Sequence, residues 1–182
     1  EGWTGVTVSK GAQLTYTITG VDNIVSTGPK PSIDAMVVGR NNRLHKVNIA
    51  VGPATLRSIR DVNFDYFDKF LVSELLEFAD ITGTGEFKVR LTVNGDPFDP
   101  GPDAASVSYI KFLFPQLTDM SGVSSKIFQL EARPGGKSYI EITNAPVVSA
   151  IYDITDVNNV SVVGFTQVGT QVNCVVSNTI SR

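Results

Sequence analysis

Along most of this chain apolar and polar residues alternate with a period of two. Gln13-Leu14-Thr15-Tyr16-Thr17-Ile18-Thr19 reads as a strand with one face buried and one in water. Glu86-Phe87-Lys88-Val89-Arg90-Leu91-Thr92-Val93 is the clearest case: Phe87, Val89, Leu91 and Val93 turn inward, while Glu86, Lys88 and Arg90 turn to solvent. The same reasoning predicts strands at Ile33–Val38, His45–Val51, Thr55–Val62, Val107–Phe114, Ile127–Glu131, Tyr139–Thr143, Ser149–Ile154, Val160–Thr166 and Gln171–Val176.

Turn-forming residues punctuate these segments. Gly28-Pro29-Lys30-Pro31, Arg40-Asn41-Asn42-Arg43, Asn94-Gly95, Gly101-Pro102-Asp103, Pro134-Gly135-Gly136 and Asp156-Val157-Asn158-Asn159 all fall between apolar runs. Many short strands so separated predict an all-β fold, a jelly-roll-like antiparallel β-sandwich. The expected core comprises Leu14, Tyr16, Ile18, Phe87, Val89, Leu91, Ile110, Phe112, Phe128, Leu130, Ile140 and Ile142. One stretch is ambiguous. At 65–79, Phe67, Phe70, Leu71, Leu75 and Phe78 recur at helical spacing, with Asp65, Asp68, Glu74 and Glu77 largely opposite. A short helix fits that pattern, and two strands fit it equally. Residues 1–182 are read as a single domain, with Gly101-Pro102-Asp103 as a loop inside it.

Composition narrows the function. A net charge of -3 excludes the concentrated basic surface that nucleic acid calls for. The longest apolar runs, such as Met36 to Val38 and Phe112 to Phe114, are far short of the roughly 20 residues a membrane helix needs. The chain opens Glu1-Gly2-Trp3 with neither an initiator Met nor a signal-peptide pattern, which we read as a segment excised from a larger polypeptide. A single cysteine, Cys174, precludes an internal disulfide.

Candidate chemistry is sparse. A cysteine peptidase needs a thiolate beside a base. The chain has one Cys and one His, Cys174 and His45, each on an expected strand, so neither is assigned a catalytic role. There is no Gly-x-Ser-x-Gly elbow and no phosphate loop, and Gly83-Thr84-Gly85-Glu86 reads as a hairpin turn ahead of a strand. The carboxylate pairs Asp61 with Asp65 and Glu74 with Glu77 show no sign of converging on a cleft. The loop 94–103 carries Asp96, Asp99 and Asp103, oxygen ligands of the kind calcium takes, against the plainer reading of a turn-rich loop. For sugar binding, Trp3 is the aromatic expected to be exposed, while Tyr66, Tyr109, Tyr139 and Tyr152 are expected to pack in the core or across strands.

Several motifs resemble the β-rich region ahead of the peptidase domain in gingipain-like cysteine peptidases, specifically the type IX secretion sortases of PorU-like kind. Glu1-Gly2-Trp3-Thr4-Gly5 is similar to their Gly-Trp opening. Val37-Val38-Gly39-Arg40, followed by Leu44-His45-Lys46-Val47-Asn48-Ile49-Ala50-Val51-Gly52, resembles their strand–turn–strand ending in His-x-Val-x-Ile-x-Val-Asn-Gly, without the Asn before Gly52. Val107 to Gln116 resembles a strand of the form Tyr-Leu-Asp-Tyr-Ile-Glu-Leu-x-Tyr-Pro-Arg. Ile127-Phe128-Gln129-Leu130 and Tyr139-Ile140-Glu141-Ile142-Thr143-Asn144 lead to Ala150-Ile151-Tyr152-Asp153-Ile154-Thr155-Asp156, similar to Val-Trp-Asp-Val-Thr-Asp-Pro, with Tyr152 for Trp and Val157 for Pro.

The resemblance implies a non-catalytic sandwich of an exported protein, at a bacterial cell surface or in the periplasm. Such a module would support a catalytic neighbour or contact secretion-system proteins. No catalytic motif of the peptidase domain occurs here, so no catalytic residue is carried over. The alternative reading is a carbohydrate-binding or adhesin-type surface domain.

Overall fold

The computed structural model describes residues 4–83, 85–133, 135–148 and 150–177. The chain forms two compact units, Glu1–Gln116 and Leu117–Arg182.

The first unit holds eight strands: β1 (Val8–Ser9), β2 (Gln13–Val21), β3 (Ser32–Gly39), β4 (Leu44–Gly52), β5 (Arg57–Asp65), β6 (Lys69–Leu75), β7 (Gly85–Val93) and β8 (Ala104–Leu113). They make two four-stranded sheets in the orders β1-β8-β3-β6 and β2-β7-β4-β5, every pair antiparallel. Both sheets interleave early and late strands, the double Greek-key signature of a jelly roll. The fold is therefore the all-β antiparallel sandwich that the alternation predicted.

Period two explains why the sheets pair face to face. Ile33, Ala35 and Val37 of β3 are buried, as are Val47, Ile49 and Val51 of β4 and Phe87, Val89, Leu91 and Val93 of β7. In β3 and β7 the intervening residues stay at least partly in water, so slipping the register by one would expose the whole set. Phe87 stacks on Phe112 at 4.1 Å between ring centroids, and Phe112 on Phe114 at 5.2 Å, which ties one sheet to the other. Leu14, Tyr16, Ile18, Ile110 and Phe112 are half-buried against this core.

The ambiguous stretch at 65–79 contains no α-helix. It holds the end of β5, a turn at Tyr66-Phe67-Asp68, strand β6, and a single 3-10 turn at Phe78–Asp80. Phe67, Leu71 and Leu75, which set the helical spacing, are exposed, while Val72 is buried and Phe70 half-buried. The edge strand β6 thus carries apolar residues on both faces, and such a strand imitates a helix in sequence. Asp80 closes the 3-10 turn. Its carboxylate accepts from Arg57 Nε at 2.9 Å and Nη2 at 2.6 Å, and from the Glu77 amide at 2.9 Å. The Arg57 hydrogen bonds hold this carboxyl below the usual carboxylate range.

The second unit contains β9 (Lys137–Ile142), β10 (Tyr152–Asp153), β11 (Ser161–Val162), β12 (Phe165–Val168) and β13 (Gln171–Ser177). They form a three-stranded sheet, β12-β13-β9, and a two-stranded one, β10-β11. Met120, Ile142, Ala145 and Val172 make a small core of its own, with Phe128 and Ile140 packed against it. The strand expected at Ile127–Glu131 does not form, although its alternation persists: Phe128 and Leu130 are half-buried, Ile127 and Gln129 exposed. The reason is a missing ladder, since no strand pairs with this segment among the described residues.

Candidate functional site

Within the first unit, polar chemistry concentrates where the loop 94–103 enters β8. In β4, His45 has the same parity as Val47, Ile49 and Val51, so the pleat turns its ring inward, where it is 0% exposed. The ring lies 4.9 Å from that of Phe64, its register partner on β5. Nδ1 meets the carboxylate of Asp103, itself 3% exposed, and Nε2 donates to the Tyr66 carbonyl at 2.5 Å. Both ring nitrogens are therefore engaged, one by a carboxylate and one by a backbone carbonyl. The second oxygen of Asp103, Oδ2, is buried without a partner among the described residues.

Backbone geometry is built around this ring. Tyr66 adopts φ 54°, a left-handed conformation costly for an aromatic residue, and its amide donates to the Arg43 carbonyl at 2.8 Å. A Cβ at Gly39 would overlap both the Tyr66 carbonyl oxygen and the His45 ring, so only glycine fits there. The Gly39 amide donates to the Asp68 carbonyl at 3.0 Å. His45 thus fastens the β5–β6 turn on one side and the start of β8 on the other.

The three carboxylates considered for calcium each face a different base. Asp96 accepts from Lys46 Nζ at 3.1 Å, Asp99 from Arg43 Nη1 at 2.6 Å, and Asp103 pairs with His45. Lys10 adds donations to the carbonyls of Asp96 at 2.8 Å and Asp99 at 2.7 Å. Backbone amides, that of Phe98 for Asp96 and that of Gly101 for Asp99, are the main cause lowering both carboxyls, with Lys46 and Arg43 next. Among the described residues no group of three or more His, Cys, Asp or Glu is placed to hold a metal.

The other sequence candidates are scattered. Cys174 lies on β13, 4% exposed in the second unit, and burial pushes its thiol up. A thiol of raised pKa is a poorer nucleophile at neutral pH. Both nitrogens of His45 are already engaged in the first unit. Asp61 accepts from Asn48 at 2.9 Å, Glu74 lies 3.4 Å from Arg60, and Glu77 accepts from Lys30 at 2.6 Å, so neither carboxylate pair converges on a cleft. Trp3 falls outside the described residues. Of the two places expected for the other tyrosines, in the core or across strands, the core is not where they lie: Tyr66, Tyr109, Tyr139 and Tyr152 are exposed, on turns or outer sheet faces. An aromatic in a strand signals burial only if its own face is the buried one, and these fall on the opposite parity or in a turn.

The feature with the shape of a binding site lies in the second unit. A half-open cavity of about 700 Å³ is walled by Met120, Phe128, Ile140, Ile142, Val148, Ile151, Val163, Cys174 and Val176. Lys126 and Asp153 bring the charged groups to its lining. Lys126 Nζ donates to the Asp119 carbonyl at 2.9 Å and stands 5.4 Å from the Phe128 ring centroid. Both volume and apolar lining lie within the range of protein ligand pockets. The sequence contained traces of its walls, the alternation at 127–131 and the strands expected at Tyr139–Thr143 and Gln171–Val176, but nothing in it showed that these segments enclose a hollow.

A jelly-roll sandwich followed by a smaller sheet unit defines a β module. Among the described residues, no helix is long and apolar enough to cross a membrane. No family model matches the chain, and neither does any curated protein. Among solved structures, the dimeric latent PorU from Porphyromonas gingivalis matches it with a TM-score of 0.72 at 12% identity, over 99% of this chain and 18% of that one. The present chain therefore spans less than a fifth of that neighbour, and the likeness is one of fold. Carbohydrate-binding module CBM36, solved with calcium and xylotriose, matches with a TM-score of 0.38 at 19% identity, over 60% of this chain and 80% of that one. At that score the second match carries no argument.

Proposed function

We propose that residues 1–182 act together as a non-catalytic module of an exported gingipain-like peptidase or type IX secretion protein. Its work is contact: it supports a catalytic domain or engages another protein of the secretion system at the bacterial surface or in the periplasm. The observation that carries this reading is the fold likeness to PorU across 99% of the chain. The engaged nitrogens of His45 and the buried thiol of Cys174 add support, because they leave the chain's one imidazole and one thiol without a reaction to perform. The reading requires no cofactor.

The test is association. Interfaces between domains of one chain typically bury roughly 600–1,500 Å². The purified chain, mixed with the peptidase domain of its own gene product, should therefore co-elute with it in size-exclusion chromatography. Independent elution, or saturable binding on a glycan array, would count against the contact role, the latter in favour of a carbohydrate-binding surface domain.

A further inference from the structure

We propose that the cavity of the second unit receives an extended strand from a partner polypeptide, which pairs with the backbone of Ile127–Leu130. This deepens the contact reading above and rests on it.

Three observations converge. First, the sequence at 127–131 has strand periodicity, yet the segment enters no ladder. The amides and carbonyls of Ile127, Phe128, Gln129 and Leu130 form no hydrogen bond among the described residues. Four successive residues with unmet donors and acceptors present an open edge, the template for strand addition. Second, this edge lines a cavity of about 700 Å³ whose walls are largely apolar. A strand laid there would place every second side chain into the hollow. Third, the rim is apolar and in water: Ile127 is 77% exposed, Val147 92% and Tyr152 59%, and all three line the cavity. A small ligand filling the hollow would leave that rim wet and the backbone row unpaired. A polypeptide strand answers both, and an apolar exposed patch around a concavity is the usual mark of a protein-docking site. The fitting partner is therefore an extended segment with apolar residues at alternate positions.

The test pans the 182-residue chain against a displayed library of random peptides of about seven residues, a typical strand length. Peptides enriched by the chain should alternate apolar and polar residues. When one is added to the unaltered chain, hydrogen exchange at the Ile127–Leu130 amides should slow by about tenfold or more, as pairing protects them. Gln129→Pro, which removes one backbone donor, should weaken binding at least about tenfold, and Gln129→Ala, which makes the same cut in the side chain's polar end but keeps that donor, should not. No enrichment, enrichment without alternation, or binding without protection at 127–130 would overturn the proposal. So would a concentration-dependent dimer of the free chain with those amides already protected, which would assign the cavity to a second copy. Co-elution with the peptidase domain alongside a failed panel would sink the strand site while leaving the contact role standing.

Discussion

Replacing His45 with Ala should destabilise the protein by about 3–5 kcal/mol, the cost of removing one partner from a buried, hydrogen-bonded pair of ionisable side chains. Three losses combine. Asp103, 3% exposed and already holding one oxygen without a partner, would lose its remaining one. The Tyr66 carbonyl would lose its donor in a turn held at φ 54°. The ring packed on Phe64 would leave a void. Urea unfolding followed by circular dichroism measures the change. Asp103→Ala should cost a similar amount for the reciprocal reason. The double variant His45→Leu with Asp103→Leu should cost less than the sum of the two single losses, because an apolar pair leaves no orphaned polar group. Additive costs would show that the two residues act independently.

Phe87→Ala should cost about 3–5 kcal/mol, the range for deleting a buried aromatic ring. Phe87 is 0% exposed and projects from β7 onto Phe112 of β8, so it spans the two sheets. Its removal forfeits apolar burial and the stacked contact together, and the rigid sheets on either side limit collapse into the space. Phe87→Leu fills most of the volume and should cost distinctly less. The midpoint of urea unfolding for the two variants gives the comparison, and equal losses would mean that the stacking geometry, rather than the filled volume, carries the stability.

The strands of the first unit were legible where one face alone is buried. Phe87, Val89, Leu91 and Val93 declared themselves by alternation because the polar residues between them face water. Strand β6 did not, because Phe67, Leu71 and Leu75 are apolar yet exposed, and their spacing mimics a helical stripe. Strand β1 is two residues long and leaves no period to read. The inward turn of His45 could have been found from its parity with Val47 and Ile49, but its partner could not: Asp103 lies 58 positions away. The cavity was hidden for a related reason, since strands and loops far apart in sequence form its walls. Its clearest signal, the alternation at Ile127–Glu131, predicts a strand that finds no pairing neighbour among the described residues. The boundary of the two units at Gln116 and Leu117 has no glycine or proline run of its own beyond Pro115, so nothing in composition marks it.

The proposal that this chain makes contacts and does not cut is tested most directly by a peptidase assay. The purified chain is incubated with peptide substrates carrying Lys or Arg at the cleaved position, in parallel with its Cys174→Ala variant. We predict no turnover above the buffer blank for either protein, because burial pushes the Cys174 thiol up, away from the reactive thiolate, and both nitrogens of His45 are occupied. Cleavage by the unaltered chain that disappears with Cys174→Ala would contradict the account.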